Sequence, residues 1–194
     1  MSQSLYQLIP NLQAAVERET AIRNQSFLGF PEIICGIAVN HLTLRRMLLL
    51  EAVGSPFICG GAVTPYHIGA FFVAMADAKG FARWRLLRRV GLLNPAEAIE
   101  GIKDFLDESL QDAPPKRNVG ETASYYSPAA AVIDVLASEY GWSRDQILDE
   151  PTKCLFQYLK AIQKRINPQA IQFNPSGRII CKYLEEQNAL AERN

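Results

Sequence analysis

The sequence predicts an all-α, mostly helical globular protein of about eight or nine helices, with at most one or two short extended segments near residues 30–40. Three observations carry that expectation. Apolar residues recur at helical spacing through most of the chain. Three pairs, Thr64-Pro65, Asn94-Pro95 and Ser127-Pro128, set a capping side chain ahead of a first-turn proline, whose missing N–H costs nothing there. Only between Phe30 and Asn40 do β-branched residues, Ile33, Ile34, Ile37 and Val39, lie too closely among Gly29, Pro31 and Gly36 for a helix.

Leu5, Leu8, Leu12, Ala15 and Val16, followed by Glu17, Arg18, Glu19 and Arg23, read as an amphipathic opening helix ending near Asn24. After the extended segment, Leu44, Met47, Leu48, Leu49 and Leu50 predict a helix over Leu42 to Val53, apolar on most sides and therefore buried. Gly54-Ser55-Pro56, with Phe57 behind it, should stop it, and Gly60-Gly61 makes a second turn. The helix after Thr64-Pro65 offers Ile68, Phe71, Phe72 and Met75 as its face, and Phe81, Trp84, Leu87 and Val90 mark a short helix next.

Asn94-Pro95, with Glu97 placed for a capping box, opens a longer helix carrying Ile99, Ile102, Phe105, Leu106 and Leu110. Asp112 to Ser124, with Pro114, Pro115, Asn118 and Gly120, has almost no apolar periodicity and is the expected linker or mobile loop. It divides the chain into an N-terminal helical part, 1–111, and a C-terminal part, 125–194, expected to pack together as one domain. Val132, Ile133, Val135 and Leu136 form the helix after Ser127-Pro128, closed by Gly141 beside Trp142. Ser143 and Gln146 cap a helix through Ile147 and Leu148. Pro151 starts a helix with Leu155, Tyr158, Leu159, Ile162 and Ile166 on one side and Lys153, Gln157, Lys160 and Lys164 on the other, ending at Asn167-Pro168. Ile179, Ile180, Tyr183 and Leu184 mark a last helix after Asn174-Pro175.

Of 194 residues, 48% are hydrophobic and 21% charged, enough apolar material for a core without disulfides or metals. Twenty basic residues balance twenty acidic ones, which argues against bulk nucleic-acid binding. Met1 to Pro10 has no signal-peptide pattern, and no apolar run approaches the ~20 residues of a membrane span. Cys35, Cys59, Cys154 and Cys181 lack CxxC pairing and sit among apolar neighbours, so they read as reduced core residues in a cytoplasmic protein.

Chemistry has little to build on. A cysteine hydrolase could draw only on Cys59 and His67, and His67 at the third position of a capped helix has a simpler explanation. The cysteines and the two histidines lack chelating spacings, and no phosphate-binding glycine motif occurs, so no metal and no cofactor is expected. Asp104, Asp107 and Glu108 read as a solvated helix face. The segment Arg83 to Arg89 places Arg85, Arg88 and Arg89 on one side of a helix and Trp84 and Leu87 on another, suiting an acidic partner helix or phosphates.

Several of these residues resemble a known family. Ile33, Cys35, Gly36 and Val39, then His41-Leu42-Thr43-Leu44, then a leucine-rich helix closing in Glu51-Ala52-Val53-Gly54-Ser55-Pro56-Phe57, are similar to the front half of bacteriophage and prophage tail assembly chaperones. The helix after Thr64-Pro65, and Glu139-Tyr140-Gly141-Trp142-Ser143 followed by Ile147-Leu148 and Pro151, fit the same family, over roughly residues 30 to 166. The resemblance implies a non-enzymatic, cytoplasmic helical protein that binds the tape-measure protein and keeps its apolar helices from aggregating while the tail tube polymerises. It implies no cofactor and leaves self-association open. The expected partner-binding residues are Phe71, Phe72 and Met75, then Trp84, Arg85, Arg88 and Arg89, then Leu155, Tyr158, Leu159 and Ile162, with Gly54, Ser55, Pro56, Phe57, Gly141 and Trp142 as structural turns. The alternatives are a nucleic-acid-binding regulator or packaging adaptor using Arg85, Arg88 and Arg89, and the Cys59–His67 hydrolase.

Overall fold

A computed structural model describes residues 26–113 and 127–169 together with Glu17, Thr20, Ala21 and Asn24. The expected apolar face of the opening helix, the bulk of the Asp112 to Ser124 loop, Cys181 and the last helix lie outside the described residues. The chain divides into two compact units: Gly29–Ile162, and Met1–Leu28 with Gln163–Asn194. Among the described residues the architecture is mostly α, with eight helices and one two-stranded sheet, as the sequence predicts. None of these helices is long and apolar enough to cross a membrane.

The extended segment is a hairpin of β1 (Glu32–Ile34) and β2 (Ile37–Val39), antiparallel with Ile34 opposite Ile37. Its two-residue turn, Cys35-Gly36, takes positive φ at both positions (49° and 75°), the geometry that matches the twist of paired strands. Ile34, Ile37 and Val39 point inward and Ile33 outward.

Helix α1 (Leu44–Ala52) is capped by Thr43, whose Oγ1 accepts from Arg46 N at 3.2 Å. It ends in a Schellman pattern: Gly54 N donates to Glu51 O, Ser55 N donates to Leu50 O, and Gly54 takes a left-handed φ of 65°. The helix is less buried than its composition predicts. Leu44 and Leu50 face inward, while Leu49 and Val53 are exposed, because its two apolar edges serve two different cores. Pro56 and Phe57 belong to a short helix, α2 (Pro56–Cys59), rather than to a turn alone; Gly54 and Ser55 make the turn.

Helix α3 (Pro65–Ala76) begins with a capping box in which His67 Nδ1 accepts from Thr64 N at 3.1 Å. Helices α4 (Gly80–Val90) and α5 (Pro95–Leu110) follow. At the start of α5 the expected capping box does not form: Asn94 caps Ala96 N, and Glu97 Oε1 accepts from the Asn94 side chain instead of its backbone. Helix α6 (Pro128–Tyr140) closes on Gly141 at φ 67°, α7 (Arg144–Asp149) has the Ser143–Gln146 capping box, and α8 spans Thr152–Ile166.

Within Gly29–Ile162 there are two apolar clusters. One gathers Ile34, Ile37 and Val39 of the hairpin with Leu50, Phe71, Phe72, Met75, Ile102 and Phe105. The other gathers Leu44, Leu136, Ile147, Leu155 and Ile162, and Met47 packs against both. Polar ties join segments across the 112–124 region. Thr152 donates from its backbone N to Leu42 O at 2.8 Å, and its buried hydroxyl lies 3.2 Å from Leu42 O and 3.1 Å from Ser109 O. Asp112, expected at the start of a mobile loop, is held by Gln157 and Lys160, which neutralise its charge and satisfy its oxygens.

Candidate functional site

The expected partner-binding residues separate into core and surface. Phe71, Phe72 and Met75 are wholly buried, so none can meet a partner in the folded protein. Phe71 packs its ring against Phe57, Phe72 and Phe105 at centroid distances of 5.6, 6.0 and 6.0 Å. Their helix is apolar on almost every side and is covered by neighbouring elements, which removes them from the docking list. Leu155 and Ile162 leave it for the same reason, as members of the second core. Tyr158 and Leu159 are half-buried, and Tyr158 forms a ring cluster with Trp142 at 5.0 Å and Tyr140 at 5.6 Å. Burial, then the charge of Glu150, pushes the Tyr158 hydroxyl above its ordinary pKa, keeping it neutral. Trp142 thus belongs to packing as much as to a turn.

The surface that remains is α4. The sequence marks this helix by Phe81, Trp84, Leu87 and Val90, and of these only Val90 is buried, together with Leu86. Phe81 is 71% exposed, Trp84 53% and Leu87 39%, so the helix carries a second apolar stripe facing out. Phe81 and Trp84 stack at 5.5 Å with planes 18° apart, and the Arg88 guanidinium carbon sits 5.6 Å from the Trp84 ring centroid. Arg85 and Arg88 are exposed beside the stripe, whereas Arg89 donates to Gly36 O at 3.1 Å and secures the hairpin turn. The three arginines expected to act together therefore do not.

Leu87 leads from the stripe into an open apolar groove of about 150 Å³ between α3, α4 and the start of α5, lined by Ile68, Gly69, Val90, Gly91 and Ala98 among others. Gly69 makes the close approach possible, since a Cβ there would lie 3.2 Å from Leu87 Cδ2. Sequence reasoning offers the Phe81 to Arg89 segment as a contact surface without settling which of its apolar residues face out. The available signal was the pair Leu86–Val90, which also has helical spacing and competes for the inward face.

Elsewhere the charged groups hold structure together. Glu32 Oε1 lies 2.8 Å from His41 Nδ1 and 3.2 Å from Lys153 Nζ, and Lys153 also reaches Glu108 at 2.9 Å. Burial raises the Glu32 pKa, but the His41 hydrogen bond and the Lys153 charge outweigh it and hold the carboxyl below its ordinary value. Arg45 pairs with Asp145 and Asp149, and Arg46 with Asp77, which takes a left-handed φ of 49° at the end of α3.

Cys59 and His67 are not hydrogen-bonded to each other. The thiol points to Glu51 O at 3.8 Å, and the ring nitrogen is occupied in the α3 cap. Cys35 and Cys59 are exposed, contrary to the core placement expected, because each sits in or beside a tight turn. Cys154 is buried, and its thiol is pushed up to about 11 by burial and by Glu150. Among the described residues no group of three or more His, Cys, Asp or Glu side chains is arranged to hold a metal ion. Comparison with protein-family models, with curated proteins and with solved structures finds no match to this chain.

Proposed function

We propose that this protein is a non-enzymatic tail assembly chaperone of the phage and prophage type, acting in the host cytoplasm, that holds an amphipathic helix of the tape-measure protein on the outer face of α4. The carrying observation is the stacked Phe81–Trp84 pair, exposed beside an open apolar groove on a helix whose inner face is already filled by Leu86 and Val90. Aromatic side chains flanked by arginine are the groups that dominate protein-protein recognition. Each leucine-sized client side chain taken from water contributes about 1.5–3 kcal/mol, so a few contacts give a complex that polymerising tube protein can displace. The family resemblance supplies the kind of client, and the α4 surface supplies a place for it.

The test is co-expression of the full chain with tape-measure segments from the same genome, scoring soluble co-purification at low and moderate salt. A salt-tolerant complex is expected, and Phe81→Ser with Trp84→Ser should abolish it with only a small fall in the melting temperature. The reading fails if no segment co-purifies, or if only nucleic acid is retained at low salt and lost at moderate salt.

A further inference from the structure

The charge around α4 is one-sided. From Ala78 through Ala96 the chain holds Lys79, Arg83, Arg85, Arg88 and Arg89 and no carboxylate, although the whole protein has a formal charge of zero. None of these five cations forms an ion pair among the described residues: Asp77 on one side pairs with Arg46, and Glu97 on the other is held by Asn94. Arg89 is tied to Gly36 O and Arg88 leans over Trp84, so Arg85 and Arg88 are the charges that border the aromatic stripe. The groove at the stripe's edge is lined by apolar side chains and glycines, with room for one leucine-sized group.

We infer that the α4 face takes an acidic amphipathic helix: one leucine-sized side chain enters the groove over Gly69 and Leu87, and carboxylates within a turn of it meet Arg85 and Arg88. This rests on the reading of α4 as a docking surface and narrows the partner to one chemistry. Charge complementarity selects the acidic helix over a basic one, since like charges brought together at a partly dry interface oppose association. A nucleic acid fits less well, because two bordering arginines offer a short track for phosphates and the groove's side chains are all apolar, with none to read a base edge.

Three synthetic helices of about 20 residues test this: one with a leucine stripe flanked by glutamates, its lysine counterpart, and the acidic helix with its central leucine changed to serine. The full chain carrying Trp142→Phe keeps Trp84 as its one tryptophan, so the fluorescence of that ring reads binding directly. The acidic helix should bind roughly tenfold or more tightly than either control. Arg85→Glu with Arg88→Glu should reverse the preference for glutamate over lysine. Gly91→Leu should fill the groove and weaken the acidic helix by roughly tenfold with the thermal melt unchanged. Gly91 tolerates a side chain because its φ is −64° and a Cβ would lie 3.4 Å from Leu87 O, an ordinary contact.

Equal binding of the acidic and lysine helices, indifference to both sets of variants, or tighter binding of an oligodeoxythymidine than of the acidic helix overturns the inference. The two proposals fail separately. A tape-measure segment that co-purifies with the Arg85→Glu/Arg88→Glu and Gly91→Leu variants as well as with the parent leaves the chaperone reading and removes this one. Binding of the acidic helix as expected, with no tape-measure segment retained, does the reverse.

Discussion

Phe71→Ala and Trp84→Ala, two aromatic truncations on successive helices, should behave in opposite ways. Phe71 has no exposed surface and touches three other rings, so truncation removes a whole buried side chain and leaves a cavity that α3, clamped between its neighbours, closes only in part. Such a change costs about 3–5 kcal/mol. Trp84 is more than half exposed, and its loss removes one exposed stack on Phe81 and one cation–π contact from Arg88, together about 1 kcal/mol. With a urea dependence of about 2 kcal/mol per molar, the midpoint should fall by about 2 M for Phe71→Ala and by about 0.5 M for Trp84→Ala. Co-purification with a tape-measure segment, measured well below either midpoint, should follow the opposite order: Trp84→Ala weakens it and Phe71→Ala leaves it. Similar midpoint shifts for the two variants would refute the division of these residues into core and surface. A stable Phe71→Ala protein that loses its partner would put the docking site on α3.

Other consequences follow from the polar ties. Glu32→Gln should cost about 1–2 kcal/mol at pH 7 by removing the negative charge that Lys153 and the His41 hydrogen bond share. Because the folded Glu32 carboxyl titrates below its ordinary 4.5, the stability it brings is complete above that value and is lost as pH falls through the folded one. The difference between parent and variant in urea titrations should therefore shrink on acidification from pH 5 downward. Thr152→Val keeps the shape of a wholly buried side chain but removes the single hydroxyl proton within reach of both Ser109 O and Leu42 O, of which only Leu42 O keeps the Thr152 N–H, and should cost about 1–3 kcal/mol by chemical denaturation. Iodoacetamide at neutral pH should modify Cys35 and Cys59 in the folded protein, while Cys154, buried and pushed up to about 11, should react only after unfolding, as peptide mapping would show.

The features legible in the sequence are those whose physics closes within a few residues. Thr43 and Ser143 cap helices by accepting from backbone N–H groups three residues on, Thr64 N donates to the His67 ring three residues on, and Gly141 and Gly54 end helices by taking a left-handed φ, so each could be expected from local chemistry. Features set by distant partners were not legible. Asp112 follows a helix and precedes a proline-rich stretch, and nothing near it announces Gln157 and Lys160. Cys35 lies among isoleucines, but the turn it occupies carries it to the surface. The burial of Phe71, Phe72 and Met75 was hidden differently: an apolar helix face looks the same whether its cover is a neighbouring helix or a partner.

The case of α4 is sharper, because that helix carries two stripes with valid helical spacing. Phe81, Trp84 and Leu87 make one, Leu86 and Val90 the other, and periodicity cannot rank them. Size favours the first, since two aromatic rings would bury more area than a leucine and a valine. The fold takes the second: Leu86 and Val90 are buried, while of the first only Leu87 comes against α3, at Gly69, where a Cβ would lie 3.2 Å from Leu87 Cδ2, a contact that leaves no room for a ring. The larger stripe is left outside, amid five cations that lack ion-pair partners among the described residues. A purely structural helix gains nothing from exposed aromatics, which cost solubility and invite association. If Phe81 and Trp84 serve only the fold, Phe81→Gln with Trp84→Gln should lower the midpoint and leave partner retention where it was; if they serve docking, retention is lost while the midpoint falls by no more than about 0.5 M, and that separation is what the α4 reading requires.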